Sequence, residues 1–379
     1  MNKILSIAGF IAFLFFGAVY SQTSAANKNL TEQADALFQQ GKLDDAIETA
    51  EKVVELEKNS TSADTASYAN ALVNLARMKR DYFLLLRKKF QDRQIAPRDA
   101  QAAVEKMQKM AKDADGEFRQ ALELNEQNGR GETAQTADIK SDLAWLVYNH
   151  IGSRQSVDDS EKLFLESIAL NEKVRGRDAD ETLFVVLKTG DFYYEMSNYE
   201  KALPFYERYI QTNETKHGKD SANLINALRP TAKILYATFQ EQAAAEVVKR
   251  IETLTGKTEE TPKADLNFHL RSKESVAANT KVIMDFREDS KLFRAKLKAE
   301  DRTLNGNNIS MMPKMAVVPV SVTVDENGKI TEAVAAPRET DKDLKEKAEQ
   351  EVSKWIVRPF SYNGANRKLR GVLYYGEVR

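Results

Sequence analysis

The side chains best suited to acid–base or metal chemistry are scarce in this sequence and lie far apart. The three histidines are His150, His217 and His269, and they lack the short spacing that brings metal ligands together. Cysteine is absent, which excludes disulfides, thiolate nucleophiles, iron–sulfur clusters and cysteine-ligated zinc. No Ser/His/Asp order and no glycine-rich phosphate loop stands out. We therefore predict a protein that is not an enzyme, with no catalytic, cofactor-binding or metal-binding residues.

Composition favours a helical protein of several domains and not a nucleic-acid binder. A chain of 379 residues has room for roughly two or three domains. Lys and Arg number 56 against 57 Asp and Glu, so the chain lacks the basic excess that neutralises nucleic-acid phosphates. The chain has only 16 glycines and 8 prolines, and because both residues interrupt helices, these counts favour long helices.

The first residues have the pattern of an export signal. Lys3 supplies the positive start, an uncharged apolar stretch follows, and Val19 and Ser21 form the small-residue pattern that signal peptidase accepts. The alternative is a retained membrane anchor, although the apolar stretch is slightly shorter than the roughly 20 residues of a spanning helix. We expect residues 1–21 to be a signal peptide, or an inner-membrane anchor if it is not cleaved. In both cases the rest of the chain crosses the inner membrane.

Residues 30–255 carry a helical pattern in which small and aromatic residues recur at matching positions. In the clearest copy, Gly190 and Tyr193 lie in one predicted helix and Tyr199 lies at the turn. Ala202 and Tyr206 lie in the next helix, where a small residue lets two helices cross closely. Matching positions in other copies are occupied by Gly41, Ala46, Ser160 and Ala244.

This pattern resembles the tetratricopeptide repeat, a helical hairpin of about 34 residues. Ser160, Ala202 and Ala244 are each 42 residues apart, a longer period that is similar to the kinesin-light-chain-like variety. The resemblance implies stacked hairpins that form one superhelix, with a concave groove for a protein partner. We expect residues 30–255 to form this array.

One stretch within the array, residues 80–93, is strongly basic. Tyr82, Phe83 and Phe90 are interleaved with basic side chains at helical spacing, which indicates an amphipathic helix with a solvated basic face. We interpret this stretch first as an extension of a repeat helix. Contact with anionic lipid headgroups is the alternative.

The helical pattern ends near residue 256, and the strand period begins near residue 315. We interpret residues 256–310 as a linker that can hold short helices. The change to a period of 2 indicates a strand with one apolar face. The residues of that face are Val318, Val320, Val322 and Val324.

The C-terminal region reads as strand, strand, helix, strand. An Asn-Gly turn separates the first strand from a second over residues 329–336. A helix is predicted over residues 341–355 and a last strand over residues 368–378. We expect residues 311–379 to form a small β-β-α-β domain, so the whole chain is predicted to be an α+β multidomain protein.

Several motifs follow one another in this terminal domain. A valine-rich strand is followed by an Asp-x-x-Gly turn, a helix that ends in Trp, a Pro that stops it and an Asn-Gly turn. The residues are Asp325, Gly328, Trp355, Pro359, Asn363 and Gly364. This order resembles the C-terminal domain of TonB-type energy transducers. The resemblance implies a bacterium with an outer membrane, a location in the periplasm or cell envelope, and a domain that pairs a strand with an outer-membrane transporter.

Two functions remain open at this stage. The first is an exported cell-envelope scaffold, whose repeat array binds a protein partner while the TonB-like domain docks to another envelope component. The alternative is a TonB-like energy transducer coupled to outer-membrane transport. Because the last strand lies at the chain end, we expect it at a sheet edge with unpaired backbone groups, Val372 among them. We expect no nucleic-acid partner, and membrane contact only through residues 1–21 if they are retained.

Overall fold

The computed structural model describes residues 25–59, 65–151, 154–260, 262, 266, 315–336, 341–362 and 364–378. The predicted export segment and most of the predicted linker lie outside the described residues. The chain divides into two compact units, Met1–Val185 and Val186–Arg379, and the boundary falls within one helix.

The described part of the first unit consists of helices that pair in chain order. The pairs are α1 (Ala25–Gln39) with α2 (Leu43–Lys58), α3 (Thr65–Gln91) with α4 (Ala100–Gln127), and α5 (Ala134–Ile151) with α6 (Arg154–Val174). Each helix buries an apolar stripe, as α2 does with Ala46, Ala50 and Val53. Contacts between α2 and α3 and between α4 and α5 stack one pair on the next.

Four helices follow in the same manner. They are α7 (Asp180–Glu195), which crosses the boundary between the units, α8 (Tyr199–His217), α9 (Ile225–Ala237) and α10 (Glu241–Thr255). The side chain of Asn198 accepts a hydrogen bond from the backbone N–H of Lys201 and so caps the start of α8. Tyr199 is therefore the first helical residue and not part of the turn.

Three of the short turns between paired helices share one backbone geometry. The central residue has positive φ and is Gly41 in the α1–α2 turn, Ser197 in the α7–α8 turn and Phe239 in the α9–α10 turn. In each turn the N–H of this residue donates to the carbonyl three positions earlier. Glycine adopts this conformation freely, whereas a bulky side chain does so at a cost. Phe239 is thus the unusual member of the three.

Among the residues described from Met315 onward, the second unit contains five strands and one helix. These are β1 (Met315–Val324), β2 (Ile330–Ala335), α11 (Lys342–Val352), β3 (Phe360–Tyr362), β4 (Ala365–Arg367) and β5 (Leu369–Val378). The sheet is antiparallel with the order β2-β1-β5, and β3 and β4 form a separate hairpin. One face of the sheet packs against α11, and the core between them includes Val320, Leu344, Trp355 and Leu373.

This arrangement corrects two details of the β-β-α-β prediction. The order includes the additional hairpin β3–β4, whose strands of three residues are too short to show a period in the sequence. The helix ends at Val352 and not at Trp355. Trp355 leaves the helix with its N–H bonded to the Val352 carbonyl, and its ring enters the core.

The position of β5 agrees only in part with the expected free edge. β5 is an edge strand among the strands that the structure describes. However, the N–H of Val372 donates to the carbonyl of Leu266 at 2.8 Å, so Val372 is paired. Leu266 belongs to the predicted linker, and its side chain is buried within the second unit.

The described residues confirm the coarse layout, which is a mostly helical repeat region followed by a small region of strands, as in an α+β protein. The basic stretch 80–93 lies largely within α3, as an extension of a repeat helix would. Within the described ranges, no helix is both long and apolar enough to cross a membrane.

Candidate functional site

The crossing of α7 and α8 is closely packed at Gly190, one of the predicted repeat residues. A Cβ atom added to Gly190 would lie 2.9 Å from Cε1 of Tyr206, closer than ordinary carbon contacts allow. The Tyr206 hydroxyl donates to Oδ1 of Asp191 at 3.1 Å. Burial, followed by the Asp191 carboxylate, raises the pKa of Tyr206, so the hydroxyl stays a neutral donor.

The other predicted repeat residues are also placed by packing. Gly41 lies at a turn, and a Cβ there would contact nothing within 4 Å, so its role is conformational. The remaining residues are buried in four different helices and do not converge on one point; they are Ala46, Tyr193, Tyr199, Ala202 and Ala244. These residues shape helix pairs and do not form a reactive centre.

The TonB-like motif residues hold the loops of the terminal domain together. Asp325 Oδ1 accepts hydrogen bonds from the backbone N–H groups of Asn327 and Lys329, both at 2.9 Å, and so closes the β1–β2 turn. Gly328 in that turn has φ +86°. A Cβ on Gly328 would lie 2.1 Å from the Val357 carbonyl oxygen.

Two further motif residues pack in the same region. Pro359 Cδ lies 3.2 Å from the position of that added Cβ atom, and the Trp355 ring is buried. Gly364, with φ +75°, lies in the β3–β4 turn, and Asn363 lies outside the described residues. The motif is thus explained by packing and turn geometry.

The described residues offer no side-chain arrangement suited to a metal ion. No cluster of three or more His, Asp or Glu side chains capable of holding a metal ion occurs among them. His217 lies in the last turn of α8. His269 and the side chain of His150 lie outside the described residues.

The side-by-side contact of α3 and α5 was not expected from the sequence. These first helices of consecutive pairs run parallel and are joined by hydrogen bonds from Gln135 to Asn70 and from Arg87 to Asn149. Asp142 of α5 faces α3, and its carboxylate accepts a hydrogen bond from Nε of Arg77 at 2.7 Å. Such pairs cannot be predicted from the sequence, because the two residues are far apart in the chain and each alone is typical of a solvent-exposed helix face.

Asp142 also binds Arg80, whose side chain is almost completely buried. Burial of Asp142 opposes ionisation, but Arg80 and Arg77 together hold its pKa below the ordinary value. The basic stretch of the sequence is therefore partly neutralised within the helices. Trp145 follows Asp142 by one helical turn and is half-buried, with its ring edge-on to Phe164 at 6.3 Å.

We call the surface formed by these two helices the α3–α5 face. It combines exposed and partly buried polar side chains with one large aromatic ring, a composition found at protein interfaces. Its members are Asn70, Asn74, Arg77, Asp142, Trp145 and Asn149.

A buried ionic group supports the other side of α3. Lys79 Nζ lies 2.6 Å from Glu117 Oε1 on α4 and 3.0 Å from Glu51 Oε1 on α2. Two carboxylates share one ammonium, and Oε2 of Glu117 is buried with no hydrogen-bond partner among the described residues. Burial therefore raises the pKa of Glu117 to about 7, in opposition to Lys79.

We expect this carboxyl to make stability depend on pH. Its pKa in the folded chain lies above the unfolded value of 4.5, so the folded state binds the extra proton between these limits. The contribution of Glu117 to stability should be fully present below about pH 4.5 and should be lost, by on the order of 2 kcal/mol, as pH rises through about 7. Urea unfolding at pH 5 and pH 8 measures this, and Glu117→Gln should flatten the dependence. An equal slope in both proteins would show that Glu117 is not responsible.

Among the described residues, Tyr362, Arg358 and Arg370 of the terminal domain make polar contacts with the helices of their own unit. The Tyr362 hydroxyl donates to Glu207 on α8, and Arg358 lies 3.9 Å from Glu200. Arg370 on β5 reaches the α9–α10 turn, where it donates to the Tyr236 carbonyl. The sequence shows only a charged residue near the start of the last strand, because the partner of Arg370 is distant in the chain.

Comparison with known proteins bears on the helical pairs. Residues 28–60, which span α1 and α2, match the family model of the tetratricopeptide repeat. The chain contains a tetratricopeptide repeat. Such repeats are protein-interaction modules, and two later helix pairs, α7–α8 and α9–α10, share the turn geometry and a buried small residue with this first one. The coarse interpretation as a protein–protein interaction scaffold follows from the repeats.

Two solved structures are similar to part of this chain at low sequence identity. The crystal structure of BtubC (BKLC) from P. vanneervenii has 15% identity and a TM-score of 0.48, and the match covers 65% of this chain and 87% of that chain. A Podosopora anserina putative kinesin light chain with nearly identical TPR-like repeats has 15% identity and a TM-score of 0.47, covering 63% and 99%. No curated protein matches the sequence.

Proposed function

We propose that this protein is an exported scaffold of the bacterial cell envelope, in which the tetratricopeptide hairpins bind a protein partner and the TonB-like terminal domain docks to a second envelope component. The observation that carries the proposal is the α3–α5 face. There, Arg77 and Asp142 pair across two first helices, with the half-buried ring of Trp145 one turn away. Fixed charges around an aromatic ring suit the recognition of a polar protein segment.

The surface of the terminal domain supports the second docking contact. Val317, Val334 and Tyr374 lie on the sheet face opposite α11, and each is about half exposed. Exposed apolar side chains that share one sheet face are typical of a protein contact.

Partner capture tests the role of the α3–α5 face. Asn74 is exposed on α3 between Asn70 and Arg77, so Asn74→Trp should block the face without entering the core. We expect affinity purification of the full chain from the envelope fraction, followed by mass spectrometry, to lose one specific partner in this variant. Lys112→Trp, at an exposed position on α4, is the matched control and should retain it. Equal capture by both variants would argue against this face.

Export is tested separately by mass spectrometry of the N-terminus of the mature protein. Cleavage predicts a chain that begins at Gln22, and retention predicts an intact Met1 in the inner-membrane fraction. A chain that keeps Met1 and is found free in the cytoplasm would contradict export in both forms.

Energy transduction is the second candidate, and the edge position of β5 favours it. Val372 is already paired with Leu266, whereas Tyr374 presents its backbone on the same side two residues further along. Tyr374→Pro should therefore abolish capture of an outer-membrane partner if a strand is added at this edge. Unchanged capture by a folded Tyr374→Pro chain would favour the scaffold alone.

A further inference from the structure

The α9–α10 turn holds an aromatic residue at a position that favours glycine. Phe239 has φ +58°, whereas the matching position in the α1–α2 turn is Gly41. A bulky residue in the left-handed region costs free energy, and such a cost usually accompanies a specific use of the side chain. The Phe239 ring is 41% exposed, so burial in the repeat core is not that use.

The Phe239 ring instead contacts an arginine from the terminal domain. The guanidinium carbon of Arg370 lies 4.7 Å from the centre of the Phe239 ring and 4.0 Å from the centre of the Tyr236 ring. Both distances are within the range of attraction between a cation and an aromatic face. The planar cation of Arg370 thus lies against two aromatic rings, one at the end of α9 and one in the α9–α10 turn.

Polar groups of the same turn complete the contact. Nε and Nη2 of Arg370 donate to the Tyr236 carbonyl at 3.1 and 2.7 Å, and Nη2 also donates to Glu241 Oε1 at 2.8 Å. The Tyr236 carbonyl lies at the C-terminal end of α9, where the helix dipole favours a positive charge. Glu241 begins α10, so both helices of the hairpin take part.

We propose that the α9–α10 turn is a binding site for a guanidinium group presented by a β-strand, and that Arg370 is its resident ligand. The site, formed by Tyr236, Phe239 and Glu241, then fixes the terminal sheet to the last helical hairpin. A planar group that stacks on aromatic rings and donates to two acceptors is specific to arginine, because lysine carries only a point charge. We call the contact of Arg370 with Tyr236, Phe239 and Glu241 the latch. It does not depend on whether the protein is exported or on which partner the protein binds.

Distance measurements in the full chain test the latch. Because the chain has no cysteine, Lys249→Cys and Glu346→Cys place spin labels at two exposed positions only, one on α10 and one on α11. We expect a single narrow distance distribution in this otherwise native background. Arg370→Ala should broaden it and add a second population, and Arg370→Lys should not restore the narrow form. Arg367→Ala, which removes an exposed charge from β4, should leave the distribution unchanged.

Phe239→Gly separates the latch from ordinary turn packing. Glycine accepts the positive φ, so this variant should fold and its melting temperature should stay equal or rise. The proposal nevertheless predicts a broadened distance distribution, since one of the two rings is lost. A distribution that stays narrow in Phe239→Gly would overturn the proposal, as would broadening in Arg367→Ala equal to that in Arg370→Ala.

Discussion

Gly328→Ala is expected to destabilise the terminal domain by about 3 kcal/mol or more. The added Cβ would lie 2.1 Å from the Val357 carbonyl oxygen, and the backbone at φ +86° is unfavourable for alanine. The oxygen cannot simply move away, because Val357 N–H also donates to the Gly328 carbonyl at 2.9 Å and ties the two segments together.

Gly364→Ala is the matched control for this prediction. Gly364 has φ +75°, but a Cβ there would contact nothing within 4 Å, so only the conformational cost of about 1 kcal/mol remains. The chain has two tryptophans, Trp145 and Trp355, one in each unit. In a Trp145→Phe background, the fluorescence of Trp355 therefore follows unfolding of the terminal domain alone. Equal losses in the two alanine variants would mean that the contact with Val357 carries no cost.

Lys79→Met is expected to destabilise the first unit by about 3–5 kcal/mol at pH 8. Removal of the ammonium leaves the Glu117 carboxylate buried without its partner at 2.6 Å. The loss should shrink near pH 5, because Glu117, whose pKa is already raised to about 7, is then protonated. Denaturant unfolding followed by Trp145 fluorescence, in a Trp355→Phe background, measures the effect on this unit.

Lys52→Met provides the comparison for an exposed ion pair. Lys52 pairs with Glu48 at 2.9 Å on the solvent side of α2, where water screens the charges, so little change is expected. The double variant Lys79→Met/Glu117→Leu should recover much of the loss, because no unpaired charge stays buried. A Lys79→Met chain as stable as Lys52→Met at pH 8 would refute the role of the buried group.

The repeat pattern was visible in the sequence because it depends on residue size at local spacing. Gly190 and Ala202 mark a helix crossing, and the buried Ser160 and Ala244 repeat the second of these positions in neighbouring pairs. The alternating valines likewise indicated β1, since one face of that strand is buried. Local periodicity reports which side of an element is buried.

Contacts between distant segments could not be predicted in this way. Arg80 and Arg370 are both typical of exposed basic residues in sequence, yet one is buried against Asp142 and the other stacks on Tyr236. Leu266 gave no sign of its bond to Val372, because a single paired residue has no period. The candidate binding face and the latch both depend on such long-range pairs.

Site-specific photo-crosslinking in intact cells tests the central claim, partner binding by the α3–α5 face, most directly. A photoreactive amino acid at Asn74 lies on that face, and the same residue at Lys112 lies on an exposed side of α4. We predict that the Asn74 probe forms one discrete crosslink to an envelope protein, whereas the Lys112 probe does not. The absence of a crosslink from Asn74, or the same product from both positions, would contradict the account.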